Sequence, residues 1–262
     1  MRNEAEDHVR TFYSTVGWKE AQGITEDARQ FEDLRECAKE YVSKCRLRVL
    51  RHIPTVGDMM LDMASGPIQY PEYLEYSRAF AKRYCVDLSQ EALDSAKSKL
   101  GGHGLYLCGS FFDLELDPDT FDCAISLHTI YHMDRSLQEQ AVRKMLRLCK
   151  PSAPVVIVYS NSGALLPRLK RLLRPSKSVN YVSSDNGLYF FAHPIDWWNR
   201  FSDQADVRIY PWRSLGSNDQ KRLIPDNRLG RSLLSLLYII EDAFPRFFVR
   251  YFQYPMIVLT KR

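Results

Sequence analysis

Two short stretches hold residues whose types and spacing suit chemistry. In Leu61-Asp62-Met63-Ala64-Ser65-Gly66-Pro67, small residues at 64–66 follow an apolar run directly. Such a turn lets the backbone come close to a bound molecule. Asp87 lies 21 residues after Gly66, at the end of a second apolar run, Tyr84-Cys85-Val86, and is followed by Leu88. A carboxylate there can accept hydrogen bonds from both hydroxyls of a ribose, each contributing about 1.5–3 kcal/mol. The second stretch is His128-Thr129-Ile130-Tyr131-His132, after the run Cys123–Leu127. An imidazole near neutral pKa suits removal of a proton from an alcohol or phenol, a role that contributes roughly 10²–10⁴-fold.

These stretches need a scaffold that brings strand ends together. Apolar runs at 59–64, 84–87, 105–108, 121–127 and 155–159 read as short strands. Helices are expected between them, at 90–100 with Ser89 as N-cap, and from a capping box Ser136-Leu137-Gln138-Glu139 onward. Apolar spacing over 26–52 predicts one further helix before the first strand. Alternating strands and helices indicate parallel β-α-β units with right-handed crossovers. Ligands in such sheets sit beyond the carboxyl ends of the strands. The last third breaks the alternation, with strands expected at 207–210 and 256–259 and a helix at 232–242 between them.

Composition narrows the class. The chain has 262 residues, 45% hydrophobic and 26% charged, an ordinary globular balance. No apolar run reaches the roughly 18 residues that span a bilayer, and the charged N-terminus is unlike a secretory signal. The six cysteines form no C-x-x-C or zinc spacing, so buried free thiols in a cytoplasmic protein and no metal site are expected. Residues 1–160 carry 20 Lys/Arg against 24 Asp/Glu, whereas 161–262 carry 16 against 8. The net of +4 therefore combines an acidic first part with a basic last part, and the basic part is expected to face something anionic.

A dinucleotide fold would place G-x-G-x-x-G after the first strand to hold a pyrophosphate. Residues 64–69 read Ala-Ser-Gly-Pro-Ile-Gln instead. A ribose site without that cradle points from nicotinamide toward a nucleoside such as S-adenosylmethionine. From about residue 56 to 160 the chain resembles the class I S-adenosylmethionine-dependent methyltransferases. The resemblance rests on the 61–67 turn, Asp87, Phe121-Asp122-Cys123-Ala124-Ile125-Ser126-Leu127-His128, and Leu146-Arg147-Leu148-Cys149-Lys150-Pro151, in that order.

The resemblance implies a doubly wound, mostly parallel seven-stranded Rossmann-like sheet with N-terminal helices and an insertion near the C-terminus. It divides the chain into a lid at 1–55, a cofactor core at 56–160 and an acceptor part at 161–262. It implies S-adenosyl-L-methionine as cofactor, held by Asp62, Ala64, Ser65, Gly66, Pro67, Asp87, Leu88, Ser110, Phe111 and Leu127. Tyr13 and Trp18 are expected in an aromatic lid, and Arg35 near the methionine carboxylate. Three departures stand out: the glycine-rich loop is reduced, Gly109-Ser110 replaces a Gly-Asp whose acid contacts the adenine amine, and Pro151-Ser-Ala replaces Pro-Gly.

The loop after the fourth strand faces the transferring methyl in that family. His128, then His132, is the expected base, with Tyr131 as an acceptor wall. Methyl transfer to the oxygen of a small-molecule or glycan acceptor is the leading expectation. A nitrogen or carbon acceptor, or a binding protein without activity, are the alternatives. The acidic first part and the lack of an Asn/Asp-Pro-Pro-Tyr/Phe motif argue against nucleic-acid bases. The basic amphipathic stretch Leu165–Arg174 suits a peripheral membrane contact, a phosphate-bearing substrate, or a plain surface helix over the sheet. Trp197 and Trp198 suit a sugar face or a core, and the aromatic run 244–252 an acceptor wall or a homodimer contact.

Overall fold

Seven strands pair into one sheet: β1 (Gly57–Met63), β2 (Phe80–Asp87), β3 (Gly104–Cys108), β4 (Cys123–Leu127), β5 (Pro154–Val158), β6 (Ala205–Arg213) and β7 (Tyr254–Lys261). The computed structural model describes residues 4–21, 24–165, 182–183 and 188–262. The sheet order is β6-β7-β5-β4-β1-β2-β3. Neighbours from β5 to β3 are parallel, and β7 is antiparallel to both β5 and β6. The order reverses between β1 and β4, so a crevice opens at their carboxyl ends.

The central strands are buried on both faces, which explains why they read as continuous apolar runs. One face packs under α5 (Gln138–Leu148), whose Ala141, Val142, Met145 and Leu146 are buried. The other meets Val49, Tyr76, Phe80 and Trp212. In α4 (Gln90–Leu100), the Ser89 hydroxyl accepts the Ala92 N–H, as its position at the N-cap predicts.

Two expectations are corrected. The helix over 26–52 is broken into α2 (Glu26–Phe31), α3 (Lys39–Leu47) and a 3₁₀ segment, Arg48–His52. Glu32 leaves the helix in an extended conformation, and Glu32 and Asp33 are buried against arginines. Apolar spacing does not register ion pairing of this kind. The capping box also does not form: Ser136 donates to Asp134 at 2.5 Å, and α5 starts at Gln138 without a side-chain cap. Trp197 and Trp198 lie in the core beside Phe201 and Tyr159. Five of the six cysteines are buried and free, and Cys108 is exposed.

Before the sheet, α1 (Glu4–Phe12) and a turn through Gly17 lead to Trp18. After β6 come α6 (Ser217–Leu223), α7 (Arg228–Ala243) and α8 (Pro245–Tyr251). The stretch Leu165–Arg174 lies, beyond Leu165, outside the described residues.

Candidate functional site

A cavity of about 470 Å³ opens over the ends of β1, β2 and β4. It has two halves with different construction.

The first half is made by backbone turns. β1 ends in Ala64 at φ +59° and Gly66 at φ +57°. These left-handed residues fold the loop back so that Ser65 N–H reaches Val86 O at 3.1 Å and Gly66 N–H reaches Asp87 Oδ2 at 2.8 Å. The other Asp87 oxygen accepts Ser89 N–H at 2.9 Å. Removal from water pushes the Asp87 carboxyl up to about 6, against the lowering by those N–H groups. Asp62 also lines the cavity, but its carboxylate is held by Arg83 at 2.6 and 3.0 Å. That pair, made through Oδ2, ties β1 to β2. Ala64, Ser65, Gly66, Pro67, Leu88, Phe111 and Leu127 complete this wall with Asp87. Lys144 donates to Phe111 O at 2.6 Å and to Leu114 O at 2.7 Å, which fixes the loop that carries Phe111.

The N-terminal segment covers this half. Tyr13 stacks on Trp18 with centroids 4.6 Å apart. The Trp18 ring lies over Gly66, where a Cβ would come within 3.0 Å of it. The Tyr13 hydroxyl donates to Asp27, which burial pushes up to about 6.

The second half is made by side chains. His128 ends β4 at φ +60°, a left-handed conformation that strains a non-glycine residue. Its Nδ1 lies 3.0 Å from the Tyr131 hydroxyl, and Trp212 and Tyr254 pack edge-on against its ring. Burial first, then Arg213, pushes its pKa down to about 3. His132 Nδ1 lies 2.7 Å from Tyr189 O. A carbonyl only accepts, so this nitrogen carries the proton and Nε2 keeps its lone pair. Burial pushes His132 down to about 4, although that hydrogen bond opposes the shift. Both imidazoles are thus neutral at working pH, and the expected near-neutral pKa is corrected downward by desolvation. Glu32 also lines this half, accepting from Arg46 at 2.9 Å and from Arg213. Tyr70, Tyr73, Phe190 and Tyr254 supply aromatic wall.

Fourteen residues expected at the site meet at one cavity: Tyr13, Trp18, Asp62, Ala64, Ser65, Gly66, Pro67, Asp87, Leu88, Phe111, Leu127, His128, Tyr131 and His132. Ser110 does not line it; its hydroxyl donates to Glu6 at 2.7 Å, and Glu6 itself reaches the cavity. Arg35 is also elsewhere, donating to Asp33 at 2.8 and 2.9 Å and to Ile224 O at 2.8 Å. The run 244–252 forms no part of the wall. Sequence reasoning missed Glu6, Asp27, Glu32 and Arg213. Each reaches the cavity only through tertiary packing, and no local pattern marks it. Among the described residues, no group of three or more His, Cys, Asp or Glu could hold a metal.

Residues 61–157 match a family described as methyltransferase domain. A search of curated proteins finds no relative by sequence. Solved structures resemble the fold at low identity. An S-adenosylmethionine-dependent methyltransferase from Archaeoglobus fulgidus is 14% identical, with a TM-score of 0.55 over 85% of this chain and 94% of that one. A Haemonchus contortus phosphoethanolamine N-methyltransferase 1, solved with phosphoethanolamine and S-adenosylhomocysteine, is 11% identical with a TM-score of 0.60. That match covers 99% of this chain but 50% of the longer relative. The complex of DhpI with S-adenosylhomocysteine gives 12% and 0.57, over 98% and 96% of the two chains.

Proposed function

We propose that the chain, whose residues 61–157 match a methyltransferase domain, is a class I S-adenosylmethionine-dependent methyltransferase that methylates a small, largely aromatic or apolar acceptor at oxygen, with His132 as proton acceptor. The residues of the first half fit the cofactor. Asp87 offers a carboxylate beyond β2 for ribose hydroxyls, and the left-handed turn at 64–66 clears space beside it. Phe111 gives an apolar face, and Glu6 offers a carboxylate beside Ser110, where the family has an acid for the adenine amine. The bound cofactor supplies an electrophilic methyl on a sulfonium.

The protein's task is then to align the acceptor and receive a proton. The carrying observation is the His132 tautomer, with Nδ1–H held by Tyr189 O and Nε2 bare. A lowered pKa suits a late transfer, because an alcohol or phenol proton becomes far more acidic as the new C–O bond forms. His128, held by Tyr131 at the end of β4, shapes the wall behind the acceptor. The aromatic lining favours a ring or short apolar acceptor over an extended nucleic acid. A small glycan ring remains compatible with the Tyr70, Tyr73 and Tyr254 faces.

The test is release of S-adenosylhomocysteine across a panel of phenols, short alcohols, sugars and amines. On the best acceptor, His132→Gln is expected to lower kcat by about 10²–10⁴-fold while KM moves little. Full turnover in that variant removes the base role, and preference for amines replaces oxygen with nitrogen. Cofactor binding with no product from any acceptor would favour a binding protein.

A further inference from the structure

The outer face of α7 is apolar although it faces solvent. Leu229 is 62% exposed, Leu236 52% and Ile239 63%, with Leu233 between them. Their spacing puts them on one side of the helix. The opposite side is fixed inward: Leu234 packs on Cys37, Tyr41 and Val42 of the α3 region. Buried Glu241 accepts from Arg48 at 2.7 Å and from Tyr41 at 2.6 Å. These contacts hold the leucine face outward as a fixed ridge. At the α7–α8 corner the ridge continues through Phe244, 62% exposed, and Phe247.

The exposed charges on these helices are mostly basic. Lys221, Arg222, Arg228, Arg246 and Arg250 are exposed on α6, α7 and α8, while Arg231 sits near Glu36 and Glu40 on the α3 side. The acidic residues of these helices are mostly occupied: Asp219 and Glu241 are buried, and Asp242 pairs with Arg48 and Arg51. Among the described residues, Asp226 is exposed without an ion pair in these helices, and Glu36 and Glu40 are occupied by Lys39 and Lys44.

We propose that the α7–α8 ridge docks the protein on an anionic phospholipid surface. An apolar strip of Leu, Ile and Phe flanked by Arg and Lys matches the chemistry of a helix lying in a bilayer interface. The complementary charge is the lipid headgroup. A second copy is the poorer occupant, because self-pairing would bring the same arginines against each other. The helix lies in the interface rather than crossing it: 16 residues span about 24 Å, and no described helix is long and apolar enough to cross a membrane.

The experiment is flotation of the whole chain with phosphatidylcholine vesicles and with vesicles in which about a third of the lipid is phosphatidylglycerol. Binding is expected on the anionic vesicles and is expected to weaken with added salt. Joint substitution of Leu229→Ser, Leu233→Ser, Leu236→Ser and Ile239→Ser is expected to lower it by at least about tenfold. Arg222→Glu with Arg228→Glu and Arg246→Glu keeps the apolar ridge and is expected to abolish the preference for anionic lipid. Circular dichroism and S-adenosylhomocysteine affinity check that each variant is folded; should the serine set misfold, the glutamate set decides. Equal recovery with and without vesicles overturns the proposal, as does equal binding to neutral vesicles. A concentration-dependent dimer that the serine set abolishes, without vesicle binding, also overturns it and assigns the ridge to a second copy.

Discussion

The two halves of the cavity differ in how they are held. Apart from the buried Asp62–Arg83 pair, the β1–β2 half is held by backbone geometry. Asp87 is fixed by N–H groups of Ser89, two residues away, and of Gly66 across the adjacent strand. The His128 half is held by side chains far apart in sequence. Glu32 meets Arg213 across 181 residues, and His132 meets Tyr189 across 57. A site built from turns can lose a side chain and keep its shape. A site built from buried ion pairs cannot, because removing one partner strands a charge away from water. Substitutions in the second half should therefore cost folding stability, and those in the turn around Asp87 should cost affinity.

The sharpest way to break this contrast is Glu32→Ala, which leaves Arg46 and Arg213 without their shared carboxylate. A loss of about 3–5 kcal/mol in a denaturant titration is expected. A loss under about 1 kcal/mol would mean that the pair is solvated, and the contrast would fail. Asp87→Ala is expected to weaken S-adenosylhomocysteine binding in calorimetry by about 1.5–3 kcal/mol, some ten- to a hundredfold. Its thermal midpoint at pH 7 should hold or rise, because desolvation disfavours the ionised carboxyl in the folded state.

Gly66→Ala forces a Cβ into the left-handed region and against Trp18, at about 1–2 kcal/mol. The readout is a fall in cofactor affinity together with altered tryptophan fluorescence. Unchanged fluorescence would separate the Trp18 lid from the turn. The smallest effects follow pH. His128 and His132 have folded pKa values of about 3 and 4, below the ordinary 6.5, so the unfolded chain binds more protons between these values. Stability should fall as pH drops from about 6.5 toward 4, more shallowly in His132→Gln. Cofactor affinity should instead fall through about pH 6 as Asp87 protonates, a step absent in Asp87→Asn. Coincident transitions would merge the two halves into one.

The outer helices carry a related lesson about charge. The basic excess after residue 160 is partly internal, with Arg213 buried on Glu32, and partly on the exposed α6–α8 surface. Sequence arithmetic located that excess but could not separate a buried arginine from a surface one.

The sequence by itself determined the strand-helix alternation, the small-residue turn at 64–66, Asp87 beyond the second strand, and a histidine turn after the fourth. Those features are local: apolar runs, caps and left-handed turns depend on residues a few positions apart. Only the tertiary structure decided that 26–52 breaks at Glu32, that Glu6 takes up Ser110, that Arg35 turns to Asp33, and that His132 has a fixed tautomer. Most of those are contacts between a polar side chain and a partner distant in sequence, Arg35 among them through Ile224 O. Their free energy depends on desolvation and three-dimensional approach, and neither leaves a periodic trace in the order of the residues.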